Sequence, residues 1–190
     1  MHTVCLVGRA GSGKDTAAAA LLEAFRCRRR RILRMAAPVK AAVQALFGVS
    51  EDDVNDNSIK DRPHPLCSAC TPNGTPRDAM VWLTDAAKAH LGRDFFARRL
   101  FDSVTEEGVL TIIPDVRYSE DVQVARQHGA FVVKIVRPIE NGGTAYEWEH
   151  TVDAIHADVV IVNDGSDVDA FRNSVIDKVT NMYLCYTCQV

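Results

Sequence analysis

The sequence predicts an α/β fold, a three-layer sandwich in which helices flank a five-stranded parallel sheet. Three observations predict it. Short β-branched runs alternate with longer helical patterns, the signature of βαβ units. The first run is followed at once by a glycine-rich turn and an alanine-rich helix. The chain has 190 residues, 47% apolar and 25% charged, which suits one α/β domain with a small excursion.

Strands are expected at 3–7, 32–35, 109–114, 131–136 and 159–162, where Val and Ile dominate runs bounded by turn residues. Helices are expected at 14–27, 39–47, 77–91, 95–104, 120–128 and 168–180, each Ala-rich or patterned with charges. Two stretches break the alternation. Residues 48–75 hold Pro63, Pro65 and Pro72 among many Asp and Asn and read as a substrate-side loop or small insertion. Residues 138–150, with Asn141-Gly142-Gly143, follow Arg137 and suit a lid. Residues 1–190 thus read as a single domain.

Net charge is −3, so the molecule lacks the strongly basic field of a dedicated nucleic-acid binder, and a small anion needs a local positive site. The run Val4 to Val7 is cut by Gly8 and Arg9, and no later run approaches the ~18 apolar residues of a span. The expectation is a cytoplasmic protein with no membrane partner. Six cysteines in such a chain read as reduced thiols.

Gly8, Gly13 and Lys14 stand at G-x-x-x-x-G-K spacing between an apolar strand and a helix, which is the phosphate-binding P-loop pattern in its proper context. Gly8, Gly11 and Gly13 allow positive φ, so that the N–H groups of Ala10, Gly11, Ser12 and Gly13 and the following helix N-terminus face an anion. Lys14 adds a point charge for the β and γ phosphates of a triphosphate. The residue after the lysine, ordinarily a Ser or Thr that binds magnesium, is Asp15, followed by Thr16. Asp15 could hold Mg2+ through a water or act as a carboxylate near the transferring group, or it could simply complement the helix dipole. Thr16, the other candidate oxygen donor for the metal, could contact the α-phosphate.

The run from 110 to 114 ends in Asp115-Val116-Arg117, at the carboxyl end of a buried strand, where open α/β sheets bind ligands. A carboxylate there can orient magnesium or accept from an acceptor hydroxyl, and the Arg117 fork suits phosphate. A strand-end salt bridge would look the same.

Gly-Ser-Gly-Lys-Asp-Thr, Ala37-Pro38-Val39-Lys40, Thr75-Pro76-Arg77, Leu91-Gly92-Arg93-Asp94-Phe95-Phe96, Asp115-Val116-Arg117 and Val162-Asn163-Asp164-Gly165 occur in this order. Together they resemble the phage-type deoxynucleoside monophosphate kinases, over about residues 3 to 180. The resemblance implies a nucleoside-monophosphate-kinase-like P-loop fold and transfer of the ATP γ-phosphate to a deoxynucleoside monophosphate, in a host cytoplasm if phage-encoded. In that family the Lys-Asp-Thr loop is usual. The resemblance further implies that Lys40 and Arg77 approach the acceptor nucleotide, that Asp115 and Arg117 hold its reactive end, that Arg137 is a lid arginine, and that Asn163 and Asp164 edge the adenine. A Glu is usual six residues beyond the Asp; here Asp121 stands there beside Glu120, and either could serve.

The remaining features read more plainly. Cys67/Cys70 and Cys185/Cys188 form two C-x-x-C pairs, either a shared zinc site or, the reading preferred here, unligated thiols. Arginines 26, 28–31 and 34 read as a solvated basic face, with no nucleic-acid partner. Trp82 is expected in the core, and Trp148 beside the lid could stack on a base. The other kinase reading is a phosphomevalonate-kinase-like enzyme, and the non-kinase reading is a nucleotide-binding module. No Asn-Lys-x-Asp signature of a GTPase switch occurs. Which base is accepted, and whether the chain forms a homodimer, stays open.

Overall fold

The computed structural model describes residues 3–69, 71–138 and 148–187; side chains at 148–150 and 182–187 are outside that description. The chain divides into two compact units, Met1–Arg34 with Ala97–Val190, and Met35–Phe96.

The first unit holds the sheet. Strands β1 (Thr3–Val7), β2 (Arg30–Ile32), β3 (Leu110–Val116), β4 (Phe131–Val136) and β5 (Val159–Val162) lie in the order β2-β3-β1-β4-β5. Every neighbouring pair is parallel. The chain runs to β2 and β3 on one side of β1 and to β4 and β5 on the other. β1 is therefore the switch point, and the loop after it opens into the crevice where such sheets bind ligands.

One face of the sheet presents Val4 and Leu6 of β1, Ile112 of β3, Val133 and Ile135 of β4 and Ile161 of β5 to helices α1 (Lys14–Ala24) and α8 (Val168–Thr187). Ala17, Ala18 and Leu21 of α1 and Phe171, Val175 and Val179 of α8 complete this core. The alanines let α1 lie close to the sheet, which brings its N-terminus directly onto the end of β1. α6 (Ser119–Gln127) follows β3, and the short α7 (Trp148–Asp153) precedes β5.

β3 carries Pro114, a residue that cannot donate to a ladder, just beyond its pairing with β2 and beside β1. The sheet absorbs it: Cys5 pairs with Ile113 but Val7 pairs with Val116, so β3 has one extra residue there. Such a bulge bends the strand and re-aims the next side chain, here Asp115.

The second unit contains α2 (Ala37–Phe47), α3 (Glu51–Asn55), α4 (Pro76–Leu91) and the start of α5 (Phe95–Asp102). Gly48 at φ 72° ends α2, and Ser50 caps α3 by accepting from Asp53 N while the Asp53 carboxylate accepts from Ser50 N. Thr75 caps α4 by accepting from Asp78 N at 3.1 Å. Val39, Val43, Val49, Val54, Cys67 and Ala79 form a core of their own.

Several expectations change. Of the stretch expected as a loop or small insertion, residues 48–69 carry α3 and bring Val49, Val54 and Cys67 into the second core, because apolar residues spaced irregularly among turns can still converge in space. β2 lies two residues before its expected place. Its arginines disguise it, yet Arg31 reaches Thr111 Oγ1 at 3.2 Å, and Arg29 and Arg31 meet Glu106, as the long polar side chains of an edge strand do. α1 stops at Ala24, three residues early, and α8 runs seven residues further than expected. Trp82 is 53% exposed rather than core, since α4 packs on α2 and α3 through Ala79, Met80 and Leu83 instead.

Three carboxylates of the second unit are held below the ordinary carboxylate value near 3.8. The Ser50 hydroxyl and backbone do this to Asp53, those of Ser58 to Asp56, and the Arg77 guanidinium to Asp61. Because the folded values are depressed, their stabilisation is fully present above the unfolded value and is lost as pH falls through the folded one. Thermal unfolding across pH should show these groups silent from neutrality to about pH 5 and destabilising below about pH 4. Substituting the three residues together with Asn should flatten that acid limb; an unchanged limb would assign it elsewhere.

Candidate phosphate-binding site

The loop after β1 is built by two kinds of glycine. Gly11 and Gly13 have φ of 70° and 101°, left-handed values that suit no other residue well. Gly8 was expected to share that reason but does not: it is absent from the positive-φ glycines and is required by space. A Cβ on Gly8 would stand 2.5 Å from the Ile135 carbonyl oxygen and 2.6 Å from Ser12 Oγ. The carbonyl belongs to β4, which is paired to β1 and cannot withdraw. Gly8→Ala should therefore cost about 1–3 kcal/mol, lowering the melting temperature by roughly 2–4 °C per kcal/mol. Gly11→Ala is the control, with nothing within 4 Å of the added carbon and only the φ penalty. Equal melting temperatures for the two variants would contradict this account of Gly8.

Lys14 opens α1, and its ammonium donates to the carbonyls of Gly8 at 2.7 Å and Arg9 at 2.6 Å. The cation is thereby folded back across the loop it follows. Ser12 is 1% exposed, and among the described residues its Oγ has no hydrogen-bond partner. Ala10 and Gly11 are exposed at the tip, and Thr16 is half-buried in the first turn of α1. Asp15 is exposed and accepts from Arg34 Nη2 at 2.7 Å. Such an open ion pair adds little stability.

The ends of the neighbouring strands bring further groups. Arg137, immediately after β4, donates to the Gly11 carbonyl at 3.3 Å. Asn163, immediately after β5, is 8% exposed and donates through Nδ2 to the Ser12 carbonyl at 2.9 Å. Asp164 accepts from Ser166 N and Oγ, and these bonds hold its carboxyl below the ordinary value. Arg9 is clasped by the carboxylate of Asp153 in α7. Arg9, Lys134, Arg137 and Asp153 contribute to a pocket of about 250 Å³. Among the described residues that line it, three cations stand against one carboxylate, the kind of balance an anion site needs.

Asp115 and Arg117, both half-buried, follow the bulge in β3, on the other side of β1 from Arg137. Asp121 is 3% exposed and accepts from Tyr118 N at 3.2 Å, so it caps α6. Glu120 accepts from Ser119 Oγ at 2.8 Å. Cys5 lies under these groups. Burial, with the charges of Asp115, Asp121 and Asp158 adding to it, pushes its thiol well above the ordinary value and makes it inert.

The structure thus gathers Lys14, Asp15, Thr16, Arg137 and Asn163 about the loop, with Asp115 on the adjacent strand and Arg117 directly after it. Lys40 and Arg77 belong to the second unit. There Lys40 donates to Asn55 Oδ1 at 2.7 Å, and Arg77 pairs with Asp61 through both its Nε and Nη2. Trp148 begins α7, but its side chain is outside the described residues, as are positions 139–147 of the expected lid and Cys70 and Cys188 of the expected zinc pairs. Sequence reasoning missed Arg9 with its partner Asp153, and the bulge at Pro114. A proline inside an apolar strand was the available signal for the bulge.

The deoxynucleotide monophosphate kinase family model matches residues 80–175, just over half of the chain. A protein of Acanthamoeba polyphaga mimivirus named "Putative deoxynucleotide monophosphate kinase" is 25% identical over 95% of this chain and 97% of its own length. Among solved structures, the chain is similar to shikimate kinase from Aquifex aeolicus, with TM-score 0.49 and 12% identity over 96% of this chain and 98% of that one. It is also similar to the Mycobacterium tuberculosis APS kinase CysC, with TM-score 0.47 and 16% identity over 92% and 94%. By its P-loop at the switch point of the sheet and the family match from α4 into α8, the chain belongs to the deoxynucleotide monophosphate kinase family of P-loop nucleotide kinases.

Proposed function

We propose that this kinase transfers the γ-phosphate of ATP to a deoxynucleoside monophosphate, giving the diphosphate. The observation that carries the reading is the convergence of Lys14, Arg137 and the Asp115–Arg117 segment on the carboxyl ends of β1, β4 and β3. Phosphoryl transfer asks little covalent chemistry of a protein and is accelerated by alignment and by neutralising charge on the moving group. These residues supply both.

In this reading the backbone N–H groups of Ala10 to Gly13 cradle the triphosphate. Lys14 and Arg137 neutralise the γ-phosphoryl, and Asp115 accepts the hydrogen bond that orients the acceptor. Arg117 binds the acceptor phosphate, and Lys40 and Arg77 are assigned the acceptor-side roles that the family resemblance implies. Asp121 acts behind them by fixing the start of α6, and Trp148 is assigned to the base. The donor set at the loop also suits magnesium. Asp15 and Thr16 offer two oxygens, and a magnesium ion that keeps its waters and binds mainly through substrate phosphates needs no more from the protein. Among the described residues no group of three His, Cys, Asp or Glu gathers as a metal cage. The family description and the name of the mimivirus relative support a deoxynucleotide as acceptor.

The test is ADP release from ATP with each deoxynucleoside and ribonucleoside monophosphate in turn. Release that depends on at least one deoxynucleotide is expected. Release that is the same with and without every acceptor would refute the proposal.

A further inference from the structure

Asn163 has a hydrogen-bond pattern that a contact to a bound base does not explain. Its Nδ2 donates to the Ser12 carbonyl at 2.9 Å, and its Oδ1 accepts from Gly165 N at 3.2 Å. Its own N–H donates to the Val136 carbonyl at 2.8 Å. The side chain is almost fully buried, and both ends of the amide are engaged inside the protein. It also fills the space that a side chain on Gly13 would need, since a Cβ there would lie 2.6 Å from Nδ2.

The peptide bond explains what this grip does. In a trans peptide the C=O and the following N–H point in opposite directions, and the described backbone has no cis bond. Holding the Ser12 carbonyl against Asn163 therefore turns the Gly13 N–H away from Asn163. Among the described residues nothing accepts that N–H, so it stays available at the helix N-terminus as one of the donors an anion would meet. The turn after Asn163 reaches the loop a second way. Gly165, at φ 81°, lies so close to Arg137 that a Cβ would stand 2.6 Å from its Nη2, and Arg137 donates to the Gly11 carbonyl.

We propose that Asn163 is a positioning residue for triphosphate binding: by fixing the Ser12–Gly13 peptide it aims the Gly13 N–H at the phosphates, with no contact to the base. The inference rests on the reading of this loop as the triphosphate site. It differs from the role that the family resemblance implies, at the edge of the adenine.

Two ligands separate the roles, ATP and inorganic tripolyphosphate, which has the phosphates without the base. Asn163→Asp keeps the shape of the side chain and replaces the donor with an oxygen that repels the Ser12 carbonyl. Calorimetric titration of the full chain should show both ligands bound about tenfold or more weakly by Asn163→Asp, with the KM of the acceptor changed less than about twofold. Asn163→Ala, which removes the grip without repulsion, should fall between wild type and Asn163→Asp. ATP weakened with tripolyphosphate unaffected would assign Asn163 to the base and overturn the proposal. Melting temperature lowered with both affinities unchanged would leave it a merely structural residue, and would overturn it too. If wild type binds neither ligand, the kinase reading itself fails and the inference falls with it.

Discussion

Lys14→Met lowers kcat by about 10³-fold, the scale on which preorganised charge at a reacting centre acts, and leaves the protein folded. Methionine keeps the length and the apolar stem of lysine and removes only the ammonium. That ammonium lies on the Gly8 and Arg9 carbonyls, at the glycine turn after β1, so its charge is fixed where the β and γ phosphates are proposed to sit. The cost to stability is about 1 kcal/mol, because Lys14 is only part-buried and water can replace it on both carbonyls. Turnover by ADP release, together with a melting curve, checks both halves. A variant that melts normally and turns over at more than a tenth of the wild-type rate would place the transferred group elsewhere.

Arg117→Ala is the second large effect, expected at about 10²-fold or more in kcat/KM for the acceptor. β3 runs through the bulge at Pro114, and the displaced register is what presents Asp115 and then Arg117 at the crevice. A planar guanidinium can hold two phosphate oxygens at once, which an ammonium cannot. Arg117→Lys should therefore recover less than about a tenth of the loss, with the KM of ATP unchanged in both variants. Unaltered acceptor kinetics would remove Arg117 from the site.

Much of this was legible in the sequence, for identifiable reasons. β1, β4 and β5 are short runs rich in Val with clear boundaries, and all three stand where their composition predicts. Glycine and lysine spacing fixed the loop, because a backbone that wraps an anion needs positive φ at particular positions, and Gly11 and Gly13 have it. β2 was misplaced because its apolar content lies in arginine stems rather than in apolar residue types. The segment 48–75 reads only as a loop or small insertion because its core residues, Val49, Val54 and Cys67, follow neither a period of 2 nor one of 3.6. Trp82 was assigned to the core by residue type alone, whereas the packing face of α4 is set by its neighbours. The grip of Asn163 on Ser12 joins residues 151 positions apart, and no local pattern could reveal it.

The most direct test follows the phosphoryl group itself. ATP labelled on its γ-phosphate is incubated with the enzyme, magnesium and a panel of deoxynucleoside monophosphates, and the products are separated. Label is expected in a deoxynucleoside diphosphate, formed in step with ADP and lost in Lys14→Met. Label found only in inorganic phosphate, whatever acceptor is supplied, would contradict the proposed transfer.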